Sequence, residues 1–200
     1  MNNLSNTELK KLESVFTKIQ RNIENGLNTL FVTPPIRVAK VWKRDQGGGG
    51  KSISITGDTI EKAAVNFSSI SGNKLPESSI AEEFKSKSNK FHAMGVSVIA
   101  HPMNPFCPTS HMNVRIFLEL GKKNLIENWW IGGGFDLTPF FPTKDESSIW
   151  HSNAKRCLDN FDFKYHKKFA QNCDDYFYLP HRKEKRGVGG IFFDQLQHKT

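Results

Sequence analysis

The sequence predicts an α+β chain folded as one domain over residues 1–200, and three stretches predict it. Residues 5–27 open with Ser5-x-x-Glu8, the spacing of a capping box, and then set Leu9, Leu12, Phe16, Ile19, Ile23 and Leu27 at helical intervals. Residues 36–55 hold two strand-like runs around a glycine-rich connection, the pattern of a hairpin. Residues 111–120 alternate: Met112, Val114, Ile116, Leu118 and Leu120 share one face, and His111, Asn113, Arg115, Phe117 and Glu119 share the other.

That alternation carries the first functional signal. One face is an apolar stripe able to pack on a core. The other opens with an imidazole, an amide and a guanidinium, a set that is costly to bury without a task. His101 lies ten residues earlier, across the proline-punctuated loop His101-Pro-Met-Asn-Pro-Phe-Cys-Pro.

Composition excludes several classes. The 16 Phe, 4 Trp and 37% apolar residues exclude a disordered chain, and 200 residues suffice for a real core. Mean hydropathy is −0.51 and no run of 18 apolar residues exists, so no membrane span is expected. The opening segment carries Glu8 and Glu13 and lacks a long apolar stretch, unlike a secretory or transit peptide. Cys107, Cys157 and Cys173 show no CxxC spacing and fit a reducing compartment, so a cytoplasmic location is expected. The net charge of +8 and pI near 9.4 would suit nucleic acid. The Lys and Arg are spread along the chain without a nucleic-acid motif, however, so no nucleic-acid partner is expected. A basic solvated surface and an acidic small-molecule substrate are the readings left open.

Taken in order, Gly26 marks the end of the first helix, and 36–43 form a strand. Arg44 to Gly50 form a loop, and the next strand sets Ile53 and Ile55 on one face. Gly50-Lys51-Ser52 imitates a phosphate-binding ending, but strand residues follow where a helix is required. Lys62–Phe67 continue the sheet. Residues 68–90, rich in Ser, Lys, Asn and Glu, read as a long connection with a short helix at 79–87. Met94–His101 is a buried strand that delivers His101 at its end, with Ser97 four residues earlier. Gly121–Asn124 is a turn, and Glu127–Ile131 a strand with paired tryptophans that breaks at Gly132-Gly133-Gly134. Those glycines allow a backbone or a flat ligand to come close, and Asp136 ends the permissive stretch. Ser152–Cys173 reads as one helix with Ala154, Leu158, Phe161, Tyr165 and Phe169 near one side, and Gly190–Asp194 as a last strand.

Read locally, Asp136 before Leu-Thr-Pro either caps a turn or serves a site. His101 is either a structural hydrogen-bonding residue or a ligand. The run from His181 to Arg186 is either a solvated face or an ordered one that leads into the last strand. His92, His166 and His198 have no motif around them and read as surface residues.

Four stretches carry a resemblance: Trp42-Lys-Arg-Asp-Gln-Gly-Gly-Gly-Gly, His101-Pro-x-Asn-Pro-x-x-Pro-Thr-x-His111-x-Asn-x-Arg115, Trp129-Trp-x-Gly-Gly-Gly-x-Asp136-Leu-Thr-Pro, and His181-Arg-x-Glu-x-Arg186-Gly-x-Gly-Gly-Ile-Phe-Phe-Asp. In order and spacing they resemble the oxygen-dependent coproporphyrinogen III oxidase family. Lys43 and Gln46 depart from the usual Arg and Glu, and Lys183 and Lys185 stand in the last motif. The resemblance implies a large antiparallel sheet flanked by helices, a homodimer, and a site in a cleft between sheet and helices. It implies oxidative decarboxylation of two propionates of coproporphyrinogen III to vinyl groups, giving protoporphyrinogen IX, with O2 as oxidant and no organic cofactor. His111 and Asp136 match the family's catalytic positions. Ser97, Asn113, Val114, Arg115, Arg182 and Arg186 match substrate-binding ones. His101, His111, His151 and His181 match positions proposed to hold a divalent metal in bacterial members.

The guanidinium groups suit a substrate with four carboxylates, which Arg meets with a planar fork of donors. An Asp carboxylate suits pyrrole N–H donors converging on a ring centre. Family members are longer, and the chain is expected to lack their C-terminal third. It is then either an oxidase or a truncated remnant that binds porphyrinogen or a partner without turnover.

Overall fold

The computed structural model describes residues 6–73 and 90–197. Helix α1 (Asn6–Asn28) is followed by strands β1 (Ile36–Lys43), β2 (Gly48–Thr56), β3 (Ile60–Gly72), β4 (Lys90–Pro102), β5 (Thr109–Leu120) and β6 (Ile126–Thr138). Helices α2 (Lys144–Leu158) and α3 (Tyr165–Tyr176), a two-residue hairpin of β7 (Tyr178–Leu179) and β8 (Glu184–Lys185), and β9 (Gly189–Leu196) complete the order. The large sheet is antiparallel throughout, in the order β1-β2-β3-β4-β5-β6-β9. The α+β expectation holds.

Register sorts the sheet into two faces, because residues directly opposite in neighbouring strands point the same way. Phe67, Val96, Val114, Gly133 and Phe193 stand opposite one another in turn, and so do Asn66, Ser97, Asn113, Gly134 and Phe192. The first set belongs to the helix face. There α1 lays Leu9, Leu12, Phe16, Ile19, Ile23 and Leu27 on Val65, Phe67, Met94 and Val96, with Val114 and Ile116 of β5 joining them. Phe16 is fully enclosed, and its truncation to Ala would cost about 3–5 kcal/mol. Gln20 of α1, 3% exposed, donates from its amide to the carbonyls of Lys51 (2.8 Å) and Val65 (2.9 Å), tying the helix to β2 and β3. Helices α2 and α3 continue the layer: Trp150 meets Phe135 edge-on at 5.0 Å, and Ala154 and Phe169 close over Ile191.

Several elements differ from the sequence reading. Helix α1 passes Gly26 and ends at Asn28. Gly48–Gly50 and Gly132–Gly134 lie inside β2 and β6 and break neither strand. Glycine weakens a strand locally, but these positions are pressed so closely that a side chain would not fit: a Cβ on Gly50 or Gly134 would run into the carbonyl oxygen of Phe67 or Ile191. β3 extends through Ser68–Gly72, and β4 begins at Lys90, so the expected connection is partly strand; its helix at 79–87 lies outside the described residues.

The single helix expected over Ser152–Cys173 is two helices. Asp162 breaks it, its side chain accepting the Lys164 N–H at 2.8 Å. The break lets Leu158 and Phe169 reach one cluster while Phe161, expected on the apolar side, stands 81% exposed. His92 is not a surface residue. It is buried on β4, with Nδ1 at 2.8 Å from Ser71 Oγ and Nε2 at 3.1 Å from Ser69 Oγ, while Ser69 donates to Glu13 of α1 at 2.8 Å. His166 is half-buried on α3, and His198 lies outside the described residues. No helix among the described residues is long and apolar enough to cross a membrane.

Candidate active site

Strand alternation and register build the site on the face opposite α1. β5 sends His111, Asn113 and Arg115 to that face; β4 sets Ser97 opposite Asn113, and β6 sets Asp136 opposite His111. A depression of about 290 Å³ opens here, lined among others by Ser97, His111, Asn113, Asp136, Phe177 and Arg186.

Asp136 is its centre. The residue is 1% exposed, an expensive place for a carboxylate unless its oxygens are satisfied. Arg186 satisfies them with two prongs, Nε to Oδ2 at 3.1 Å and Nη2 to Oδ1 at 2.9 Å, and Thr138 Oγ1 donates to Oδ2 at 3.3 Å. His111 Nδ1 lies 3.4 Å from the same Oδ2, longer than a well-formed hydrogen bond, and is otherwise buried without a partner. Burial pushes the Asp136 carboxyl up; His111 and the Arg186 fork outweigh it and hold the group below its ordinary range. Asp136 is therefore an ionised carboxylate at neutral pH. Nearby Cys173, buried and facing Asp136 and Asp174, is pushed up to about 12 and stays a thiol.

The Arg186 guanidinium lies 3.7 Å above the Phe177 ring. Phe177 is carried just past α3, and with Tyr176 it rounds the β9 edge to Phe192, Tyr176 stacking at 4.0 Å. Arg115 is anchored separately. Nη1 donates to Asn113 Oδ1 and Nη2 to Asp194 Oδ2, each at 2.8 Å. The pair lies over Gly132, where a Cβ would run into Asp194 Oδ1 and stand 2.9 Å from Arg115 Nε.

Of the expected site residues, the structure brings together Ser97, His111, Asn113, Arg115, Asp136 and Arg186 on one face. The Val114 side chain packs under α1, leaving only its backbone to the site's strand. Arg182 lies between β7 and β8, exposed, and pairs with Glu184 at 2.7 Å. The four candidate metal histidines are not gathered. His111 faces Asp136, and exposed His101 shares a 3.3 Å contact with Thr109 Oγ1. His151 engages the Val188 carbonyl through Nε2 at 2.9 Å, and His181 is exposed in the hairpin. Among the described residues no group of three or more His, Cys, Asp or Glu side chains could hold an ion, so this set does not fit a shared metal. Phe177, Thr138 and Asp194 were not singled out from sequence. Thr138 lies inside the third motif and Asp194 ends the fourth, while Phe177 falls four residues before the fourth.

Residues 11–200 match the family model described as coproporphyrinogen III oxidase. Proteins named oxygen-dependent coproporphyrinogen-III oxidase from Francisella tularensis subsp. novicida (strain U112) and subsp. holarctica (strains OSU18 and LVS) are each 40% identical to the chain over 200 residues. The match covers 96% of this chain and 65% of each relative, so the chain spans about two thirds of their length. With nearly the whole chain matched, and the motif residues converging on one buried carboxylate, the chain belongs to the coproporphyrinogen III oxidase family.

Proposed function

We propose that the chain acts in oxidative decarboxylation of coproporphyrinogen III to protoporphyrinogen IX in haem biosynthesis, with O2 as oxidant. The observation that carries this reading is Asp136, a buried ionised carboxylate on a sheet floor beside Gly134. Asp136 lines the depression beside Gly134, and its Oδ1, which among the described residues accepts from Arg186 Nη2, keeps acceptor capacity for a pyrrole N–H.

The chemistry asks three things of the protein. Each propionate, R–CH2–CH2–COO⁻, becomes R–CH=CH2 by losing CO2, one proton and two electrons, and the electrons pass to dioxygen. Arg115 takes a propionate carboxylate. Asp136 opposes positive charge that develops on the pyrrole as electrons leave. His111, across from Asp136, accepts the departing proton, its imidazole steadied by the carboxylate once charged.

We further propose that the protein works as a homodimer. Ile36, Val38 and Val41 on the outer strand β1 are 70%, 60% and 72% exposed, and β1 pairs on one side only. A second reading is binding of porphyrinogen or a partner without turnover.

The test is an aerobic assay of the purified chain with coproporphyrinogen III, following protoporphyrin fluorescence after oxidation, with and without chelator. Product formation that survives the chelator supports the oxidase, and product lost to the chelator returns the histidines to consideration. Tight binding without product moves the conclusion to the second reading. Sedimentation of the same sample tests the dimer.

A further inference from the structure

We propose that Asp194 is a built-in stand-in for a substrate carboxylate, holding Arg115 until a propionate arrives and then giving way. This rests on the reading that Arg115 is a propionate-binding residue.

The sheet is faulted beside Arg115. Between Gly133↔Phe193 and Ile131↔Leu196 the β6–β9 register shifts, so Asp194 and Gln195 together oppose Gly132. Gln195 adopts φ +55° to complete the bulge. Gly132 lies opposite Arg115 on the site face, and Asp194, two residues past Phe192 of that same face, stands beside it. The bare Gly132 backbone leaves the notch in which Asp194 Oδ2 meets Arg115 Nη2 at 2.8 Å.

The pair is poised to open. Arg115 and Asp194 side chains are 27% and 29% exposed, so water can replace either partner, and an ion pair of this exposure is weak. Asn113 holds the Arg115 Nη1 end independently, so the guanidinium keeps one anchor when Asp194 lets go. The backbone N–H of Gln195 donates to Asp194 Oδ1 at 3.0 Å, which gives Asp194 an anchor of its own. A polycarboxylate ligand would meet, at Arg115, a carboxylate already in the place its own arm would take. The strength of that resident competitor then sets how well a charged arm is distinguished from an uncharged one.

The test uses coproporphyrin III, the air-stable oxidised form of the ligand, titrated into the full chain by fluorescence. Asp194→Asn keeps the side-chain oxygen that accepts from Gln195 but removes the competing charge, and Asp194→Ala is the second variant. The expected result is about three- to fivefold tighter binding in both, with the gain absent when Arg115→Ala is added. Unchanged or weaker binding in the Asp194 variants, with wild-type binding intact, overturns the stand-in and makes Asp194 a structural support of Arg115. Absence of porphyrin binding in wild type and variants alike overturns the propionate reading of Arg115 and the stand-in with it.

Discussion

Arg186 meets both oxygens of Asp136, at 2.9 and 3.1 Å, from a position fifty residues further along the chain. The fork links the loop before β9 to the middle of the site and makes Asp136 an ion despite its burial. Asp136→Asn is the cleanest probe of the pair. Its amide would face the guanidinium with a donor, so turnover should fall about 10²- to 10³-fold. Stability should fall by about 1–3 kcal/mol, because Arg186 keeps solvent contact and loses only part of its support. Steady-state kinetics beside thermal melting would separate the two effects. Wild-type turnover in this variant would remove Asp136 from the chemistry.

Phe177 supports Arg186 from below, and Phe177→Leu leaves an apolar filling without the ring's charge distribution. The expected loss is about 1 kcal/mol in stability together with lower kcat. Rescue by Phe177→Tyr would identify the ring face as the cause, and equal defects in both variants would point to packing alone.

Gly132→Ala should act on substrate affinity more than on folding. The added methyl would meet the far ends of two flexible side chains, Asp194 and Arg115, which can swing away. KM should rise several-fold, by an amount comparable to about 1 kcal/mol, while the melting temperature moves little. A collapse in stability with unchanged KM would mean that the notch serves the sheet alone.

Acid should weaken the fold in two separate windows. His92 is lowered by its burial, with Glu13 opposing, and His166 by its burial and then by His151 and Lys155. Both have folded values below 6.5, so the unfolded chain binds more protons as pH falls. Their stabilising contribution is complete above about pH 6.5 and is lost progressively below it. Asp136, also lowered, contributes above its ordinary 3.8 and is lost only at stronger acidity. Urea midpoints between pH 7.5 and 5 should fall, and His92→Gln should flatten that slope. A slope untouched by the substitution would assign the first window elsewhere.

The legible parts of the molecule were those fixed by short-period pattern. The alternation from His111 to Leu120 placed Val114 and Ile116 under α1 and His111, Asn113 and Arg115 on the opposite face, because a strand has only two faces to choose between. α1 was readable for the same reason at period 3.6. The glycine runs misled because local propensity opposes a strand there, while close approach of neighbouring chains decides the matter. Phe161 keeps helical spacing with Leu158 and Tyr165 across a break made by Asp162, which lets Leu158 and Phe169 reach the cluster around Ile191. His92 looked solvated because its partners, Ser69 and Ser71, belong to a segment that reads as a polar connection. In the site, Asp136 and Arg186 could be named as candidates from motifs. Their pairing with each other, and that of Arg115 with Asp194, depends on register between strands far apart in sequence.

The contacts from Glu13 to Ser71 also fix something that heavy atoms do not display. A carboxylate can only accept, so the single Ser69 proton goes to Glu13. Ser69 then accepts from His92, which must carry its hydrogen on Nε2, and the bare Nδ1 must accept from Ser71. The neutral imidazole is thereby confined to one tautomer by a helix residue that never touches it. Glu13→Gln, whose amide can also donate, would release that choice, and the ring nitrogens of His92 would report the change in their NMR shifts.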